Sequence, residues 1–215
     1  MTMGFLAKAP DGQVQPPVLR GFEHIRRYWD NSLHGFAAKI LPGEFYVTSH
    51  DEAVITTLGS CVSACIRDRV FCIGGMNHFM LPEAGGNILD ASDFASEATR
   101  YGSFAMEQLI NEILKAGGRR ENLEIKLTGG GRVLANMTTD IGGKNIRFVK
   151  EYLDKEGLNT VGEDLGGTWP RRVVYFPASG KVRVKKMGSK EVINQEQAYQ
   201  QKISHTQIEG EIELF

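Results

Sequence analysis

The 215-residue sequence predicts a mixed α/β domain in which helices pack on β-sheet, and two patterns carry this prediction. Short runs rich in β-branched and aromatic residues recur along the chain, which is typical of strands. Two longer segments place apolar residues at helical spacing and end at glycine. The segments follow in the order strands, helix, strand, helix and hairpin, which indicates helices layered on a sheet.

The predicted elements can be placed by residue number. The strand-like runs are residues 54–58, 65–67, 70–73, 123–127, 172–176 and 181–186. The first helix is predicted over residues 93–116 and the second over about residues 145–156, with Gly117 and Gly157 as their respective stops. Residues 177–180 lie between two alternating runs and predict a hairpin turn.

Three segments of different composition are expected along the chain. Residues 1–43 carry several prolines and scattered aromatic residues and predict an extended N-terminal arm that packs a few aromatic rings elsewhere. Residues 44–189 hold the predicted strands and helices and form the domain. Residues 190–215 are rich in Gln and Glu with little periodicity, which predicts a mobile polar C-terminal tail.

Composition excludes several classes of protein. The chain has 25 basic and 26 acidic residues, so its net charge of -1 gives no general attraction to nucleic acid. The longest uncharged apolar stretch, residues 53–66, is shorter than the roughly 18 residues that span a bilayer, so no membrane insertion is expected. Three cysteines argue against a disulfide framework. We expect a cytoplasmic protein with free thiols.

The main catalytic candidate is the Gly59-Ser60-Cys61 segment, which follows a predicted strand. Glycine allows a tight turn there, which places the Cys61 thiol at the strand end. A thiol acts as a nucleophile when a neighbour takes its proton or lowers its pKa from about 8.5, and histidine is the usual partner. His78 lies one predicted strand further on, where neighbouring strands could bring it beside Cys61. The spacing leaves open that both are structural residues.

Two other kinds of site compete for the same part of the chain. Cys61, Cys65, Cys72 and His78 are ligand types for a Cys₃His zinc site, but the spacing lacks the tight Cys-x₂-Cys knuckle. Buried inert thiols are the better interpretation of Cys65 and Cys72. Residues 128–132 read Thr-Gly-Gly-Gly-Arg without the Gly-Lys-Ser/Thr ending of a phosphate loop, which favours a tight strand-exit loop.

The segment 165–190 contains seven basic residues and no acidic residue. They are Arg171, Arg172, Lys181, Arg183, Lys185, Lys186 and Lys190. On an alternating hairpin, part of this set shares one side and forms a positive strip. Such a strip is either a solvated face or a docking surface for an acidic protein.

Six short motifs occur in order over about residues 44–188. They are Leu58-Gly59-Ser60-Cys61-Val62, Gly75-Met76-Asn77-His78-Phe79-Met80-Leu81-Pro82, Thr128-Gly129-Gly130-Gly131, Ile141-Gly142-Gly143-Lys144-Asn145, Glu163-Asp164-Leu165-Gly166-Gly167 and Arg171-Arg172-Val173. Together they resemble the CheD family of chemoreceptor glutamine deamidases. The arm and the tail lie outside the resemblance.

The resemblance implies both a fold and a reaction. The fold would be a three-layer α/β sandwich with a mixed β-sheet, similar to the deamidase domain of cytotoxic necrotizing factor toxins. The reaction would be that of a protein-glutamine glutaminase, which hydrolyses selected glutamines of methyl-accepting chemotaxis receptors to glutamate and ammonia without a metal or organic cofactor. Some members are also regarded as receptor methylesterases, and a CheC-type phosphatase is a further expected partner.

The resemblance also assigns the site residues. Cys61 would be the nucleophile, which forms a thioester, and His78 its base. Candidates for contacts to the substrate and oxyanion are Gly59, Ser60 and Asn77.

The family's third catalytic residue is a threonine six positions before the cysteine, where this sequence has Ile55. Thr56 and Thr57 are the adjacent candidates, and Thr57 is preferred over Thr56. Two alternatives to this function stay open. One is a non-catalytic chemotaxis adaptor that binds receptors or the CheC-type phosphatase, and the other is a transglutaminase-like acyl transferase.

Overall fold

A computed structural model describes residues 12–82, 91–133, 140–188, 196, 198–201 and 203, with the backbone alone described for residues 91–99. The strands are β1 (Arg26–Asp30), β2 (Gly35–Lys39), β3 (Phe45–Thr48), β4 (Ala53–Leu58), β5 (Val62–Asp68), β6 (Gly74–Asn77), β7 (Leu123–Gly129), β8 (Thr160–Leu165), β9 (Arg171–Phe176) and β10 (Lys181–Lys186). The α-helices are α1 (Ala91–Lys115) and α2 (Ile141–Lys155). No helix within these ranges combines the length and apolar character needed to cross a membrane.

The strands form two five-stranded sheets, each of which is mixed. Sheet one has the order β1-β2-β4-β9-β10, and its strands pair antiparallel except for β2 with β4. Sheet two has the order β3-β6-β5-β7-β8, and its strands pair antiparallel except for β7 with β8. The prediction of an α/β fold with mixed β-sheet is confirmed.

A continuous apolar core joins the two sheets and the helices. Val54 and Tyr175 contribute to it from sheet one, and Cys65 and Met76 from sheet two. The helices pack against sheet two, and Leu109 of α1 lies in the same core. Sheet one, sheet two and the helices are therefore three successive layers, as the resemblance implied.

Both helices agree with their sequence patterns, with small shifts at their ends. α1 spans nearly the predicted residues 93–116, and Leu109 and Ile113 of its apolar stripe are buried. α2 begins four residues before its predicted start because Asp140 caps it. The Asp140 carboxylate accepts a hydrogen bond from the Gly143 N–H at 3.0 Å.

Two predictions of strand content were wrong. Residues 70–73 form a turn, in which the Asp68 carboxylate accepts hydrogen bonds from the Val70 and Phe71 N–H groups at 2.7 and 2.9 Å. Cys72 has a positive φ of 57° there, which a strand does not allow. In addition, residues 26–39 of the predicted arm form β1 and β2, which extend sheet one. The alternating pattern of these two short strands is too brief to mark them.

The arm also supplies aromatic packing, as expected. The Phe22 ring meets the rings of Phe45 and Tyr46 edge to face, with centroids 5.2 and 5.4 Å away. At the other end of the chain, residues 196, 198–201 and 203 are helical and Glu196 is buried. These residues differ from the mobile polar tail that composition predicts.

Candidate active site

Cys61 lies in the short connection between β4 and β5, which belong to different sheets. β4 ends at Leu58 in sheet one and β5 begins at Val62 in sheet two, so the connection crosses from one sheet to the other. The Cys61 side chain is completely buried, with 0% of its surface exposed. The predicted placement of this thiol at a strand end is confirmed.

His78 directly follows β6 and lies beside Cys61. β6 pairs with β5, and an isolated bridge joins Val62 and Phe79, the residues that directly follow Cys61 and His78. One ring nitrogen of His78, the Cys61 sulfur and one carboxylate oxygen of Glu196 lie within 4.8 Å of one another. The structure therefore brings together the two residues that the sequence analysis paired.

Thr56 fixes which nitrogen of His78 carries the proton. The Thr56 hydroxyl oxygen lies 2.8 Å from Nδ1 of His78 and 2.9 Å from the carbonyl oxygen of Ile40. A carbonyl only accepts, so the single hydroxyl proton goes to Ile40 and the Thr56 oxygen accepts from Nδ1–H. The lone pair of the neutral ring is then on Nε2, which is buried and has no hydrogen-bond partner among the described residues. Nε2 is the nitrogen left to take the thiol proton.

The structure corrects the preference for Thr57 as the threonine that orients His78. Successive side chains of a strand point to opposite faces. Val54 and Leu58 belong to the core between the sheets, and Thr56 shares their face. Ile55 belongs to a separate cluster on the other face of sheet one, and Thr57 shares that face. Thr57 therefore points away from His78.

The glycine loop at the end of β7, residues 129–131, hydrogen bonds to the β4–β5 connection that carries Cys61. The N–H groups of Gly130 and Gly131 donate to the carbonyls of Cys61 and Gly59, each at 2.7 Å. Gly129 has a φ of 116°, and a Cβ at this position would overlap the Cys61 carbonyl oxygen. The predicted tight strand-exit loop is confirmed, and its contacts set the orientation of two carbonyls next to the thiol.

Asn145 of α2 holds the remaining carbonyl of the connection. Its side-chain nitrogen donates to the Ser60 carbonyl at 2.9 Å, and its side-chain oxygen accepts from the Leu81 N–H at 2.9 Å. Asn145 is fully buried, so both bonds are shielded from water. The three carbonyls of residues 59–61 are thus held by the rest of the fold.

The N–H groups of Gly59, Ser60 and Cys61 converge on the carboxylate of Glu196. The Gly59 and Ser60 nitrogens each lie 2.6 Å from its oxygens, and the Cys61 nitrogen lies at 3.2 Å. The Ser60 hydroxyl donates to the same carboxylate at 2.8 Å. Glu196 is 4% exposed and forms no ion pair with a described residue. The connection is therefore a preformed pocket for negatively charged oxygen.

Asn77 has a structural position, which corrects its prediction as a substrate or oxyanion contact. Its side-chain oxygen accepts from the Ala64 N–H at 2.8 Å, and its nitrogen donates to the Ala105 carbonyl at 3.1 Å. The side chain faces α1 and ties β6 to β5 and to that helix. Gly59 and Ser60 contribute donors that bind the Glu196 carboxylate, and their contact with a substrate oxyanion stays a prediction.

Burial controls the titration of the Cys61–His78 pair. Desolvation lowers the pKa of His78 to about 4, although the nearby Glu196 charge acts to raise it. Burial raises the pKa of the Cys61 thiol well above its usual value, and the Glu196 carboxylate raises it further. With the pKa of His78 lowered and that of Cys61 raised, the pair at pH 7 is a neutral thiol beside a neutral imidazole.

The described residues contain one cluster of three metal-ligand types, and it is this same group of Cys61, His78 and Glu196. These are ligand types for zinc. However, each Glu196 oxygen already accepts two hydrogen bonds, which favours an anion pocket over a metal centre. The alternative zinc site of three cysteines and His78 is wrong, because within the described part of the chain neither Cys65 nor Cys72 lies in the cluster.

The predicted basic strip is narrower than the sequence indicated. Arg171 is buried and forms an ion pair with the half-exposed Asp164. Arg172 forms an ion pair with Asp30, in which a guanidinium nitrogen lies 3.3 Å from a carboxylate oxygen. Arg183 and Lys185 remain exposed on the same face of β10, which is an edge strand of sheet one.

Sequence reasoning missed two residues of the site. Asn145 ends one of the motifs that carry the family resemblance. Its position in that motif, two residues after Gly142-Gly143, is the sequence feature that could have identified it. Glu196 lies in a polar tail with many similar residues, and nothing in the sequence separates it from them.

Comparison with known proteins gives consistent results. The family model described as CheD chemotactic sensory transduction matches residues 80–186. The chain is 53% identical over 208 residues to a protein of Halorhodospira halophila named probable chemoreceptor glutamine deamidase CheD, covering 95% of this chain and 96% of the relative. A protein of the same name from Saccharophagus degradans is 47% identical over 220 residues, covering 100% of both chains. A third, from Methylobacillus flagellatus, is 53% identical over 192 residues, covering 87% of this chain and 94% of the relative.

Proposed function

This chain belongs to the CheD family, and from that premise we propose that it deamidates glutamine side chains of methyl-accepting chemotaxis receptors, with Cys61 as nucleophile. The relatives carry the name of this activity over nearly the whole length of the chain. The observation that carries the proposed mechanism is the lone pair on Nε2 of His78, which has no hydrogen-bond partner among the described residues. Thr56 holds the ring proton on Nδ1, and the ring lies next to a thiol and an oxyanion pocket.

The first half-reaction transfers the acyl group to sulfur. Nε2 of His78 takes the thiol proton as the Cys61 sulfur attacks the carbon of the substrate amide. Negative charge develops on the amide oxygen, and the N–H groups that now hold Glu196 are positioned to stabilise it. The imidazolium returns the proton to the leaving nitrogen, ammonia departs, and a thioester remains.

The second half-reaction reverses these roles with water. Neutral His78 takes a proton from water, the resulting hydroxide attacks the thioester carbon, and the same donors hold the oxyanion. The C–S bond breaks, the thiolate regains its proton from His78, and glutamate is released. The net change is one amide and one water to one carboxylic acid and one ammonia. Each new receptor carboxylate is a site that can be methylated, so the reaction would tune chemotaxis signalling.

The same apparatus suits receptor methyl esters, because an ester carbonyl needs the same nucleophile and donors and loses methanol in place of ammonia. Docking of a CheC-type phosphatase is proposed from family membership alone. A purely adaptor function would not require a buried base whose tautomer is fixed beside a thiol. Both the hydrolase and a transglutaminase-like enzyme would release ammonia when the thioester forms. Incorporation of a labelled amine at the receptor glutamine would identify the acyl transferase, whereas conversion of that residue to glutamate identifies the hydrolase.

The proposal is tested with purified cytoplasmic fragments of chemotaxis receptors. We expect ammonia release and a gain of about one mass unit at particular receptor glutamines, because the amide NH₂ is replaced by OH. The Cys61→Ala protein serves as the control and should give neither signal. Receptor fragments that keep all their glutamines after incubation with a shortened chain ending at Gly188 would overturn the proposal.

A further inference from the structure

The described residues 196, 198–201 and 203 are called the C-terminal segment below, and their first member, Glu196, occupies the pocket in which the reaction is proposed to take place. Glu196 is separated from Ser60 by more than a hundred positions in sequence, yet its carboxylate takes all the donors of the pocket. Its side chain has the length of the substrate side chain, and its carboxylate is the group that deamidation of glutamine produces. Within the structure, residue 196 stands where the product glutamate would stand.

Two glycines accommodate this segment: Gly59 belongs to the pocket, and the Gly43 N–H donates to the His78 carbonyl at 2.7 Å. A Cβ on Gly59 would lie 2.6 Å from a Glu196 carboxylate oxygen. A Cβ on Gly43 would lie 2.5 Å from the Tyr199 hydroxyl, one helical turn after Glu196. Tyr199 also hydrogen bonds through its hydroxyl to that of Tyr101 on α1. The contact is therefore formed at two places along the helical segment.

Hydrogen bonds stabilise the buried carboxylate of Glu196. A buried carboxylate is costly unless it is paired or receives several hydrogen bonds. Glu196 meets no cation among the described residues and depends on backbone N–H groups and one hydroxyl. An oxyanion pocket is built to provide such donors, so the pocket accepts the segment because of the same property that serves catalysis.

We propose that the C-terminal segment is an intramolecular product mimic, which closes the active site until a protein substrate displaces it. This proposal rests on the proposed function of the Cys61 site and adds the ligand that regulates it. It has a direct chemical consequence. A glutamine at position 196 would present its amide to Cys61, so the enzyme would convert that residue to glutamate within its own chain.

The decisive experiment is mass spectrometry of the Glu196→Gln protein. We expect residue 196 to gain about one mass unit with time at a rate independent of protein concentration, as an intramolecular reaction requires. Gln200 and Gln201 lie in the same segment and are internal controls that should keep their mass. The Cys61→Ala/Glu196→Gln protein should keep glutamine at position 196.

A second measurement tests closure of the site without using turnover of residue 196. Cys61 is completely buried, so alkylation by iodoacetamide should be slow in the wild type. Glu196→Ala, and a chain ending at Gly188, should react about tenfold faster or more. Their kcat/KM on receptor fragments should rise by a similar factor, since a site that is open for about one-tenth of the time keeps only about one-tenth of its intrinsic affinity. Lys150→Ala, an exposed change on α2, should leave both rates unchanged.

The outcomes separate this inference from the proposed function. If residue 196 keeps its glutamine and neither Glu196→Ala nor the shortened chain is faster, while receptor fragments are deamidated normally, the product mimic is overturned and the receptor activity stands. If residue 196 is converted but no variant acts on receptor fragments, the receptor substrate fails and the product mimic stands. Melting curves of the shortened chain show whether it is folded before either rate is compared.

Discussion

Replacing Thr56 with valine tests whether the tautomer of His78 sets the rate. Valine keeps the shape of the side chain but removes the oxygen that lies 2.8 Å from Nδ1 and 2.9 Å from the Ile40 carbonyl. A buried polar group without its partner costs about 1–3 kcal/mol. His78 can avoid this cost by rotating or by moving its proton to Nε2, and either change removes the lone pair from the thiol. We expect kcat to fall about 10- to 100-fold, because about 1.4 kcal/mol corresponds to a factor of ten.

Thr57→Val is the matched control, because it makes the same chemical change one position along β4 on the opposite face. The assay is the initial rate of ammonia release from receptor fragments at saturating concentration, and melting temperatures are recorded alongside. Thr56→Ser keeps the hydroxyl and should recover most of the lost rate. The acid limb of kcat/KM against pH should move to lower pH in Thr56→Val, since the imidazolium loses an acceptor. Equal losses in the two valine variants, or a wild-type rate and pH profile in Thr56→Val, would refute this reasoning.

Three further predictions concern the nucleophile, the base and the basic strip. Cys61→Ala should lower ammonia release by more than about a thousandfold, as removal of a nucleophile does, whereas Cys65→Ala should change the free energy of unfolding by about 1 kcal/mol and leave turnover intact, as urea titration would show. The pKa of His78 is lowered from 6.5 to about 4, so between these pH values the unfolded chain binds a proton that the folded chain does not, and stability should fall by about 3 kcal/mol as pH drops through this window. This loss should be absent from His78→Asn when the two proteins are compared by urea titration at each pH. Reversing the charges of Arg183 and Lys185 to Glu should lower kcat/KM on receptor fragments by about three- to tenfold at low salt, with the loss shrinking as salt is added.

Each of these predictions has an outcome that contradicts it. Ammonia release by Cys61→Ala near the wild-type level, or loss of activity with release of zinc on treatment with a chelator, would remove the thiol mechanism. Identical pH dependence of stability in wild type and His78→Asn would show that His78 titrates normally in the folded protein. A salt-independent defect in the charge-reversed protein, or no defect, would make the strip a solvated face.

Local sequence patterns predicted most of the elements, and the family motifs selected Cys61 and His78 as the candidate pair. The helices were predictable because their apolar residues repeat with the helical period and glycines end them. β9, β10 and their hairpin were predictable from alternation around residues 177–180. The spacing of Cys61 and His78 indicated a possible pair and left a structural role for both open, and the family motifs favoured the pairing.

The choice between Thr56 and Thr57 depended on tertiary structure. Both are β-branched residues of one strand, and only the face that β4 buries decides which hydroxyl reaches His78. A shift of one residue reverses the face, so sequence without the packing of the two sheets carries no information about it. The role of Asn77 also depended on tertiary structure, because its side-chain amide forms hydrogen bonds with β5 and α1.

Glu196 shows the limit of sequence most clearly. The sequence by itself determined that a thiol, a base and a glycine turn occur together, because those residues are close along the chain. Only the tertiary structure could show that a glutamate 135 positions after Cys61 accepts its N–H group, because such contacts depend on how the chain returns to the site. Periodicity and spacing report on neighbours within a few turns, whereas the occupant of the pocket is decided by the packing of the whole chain.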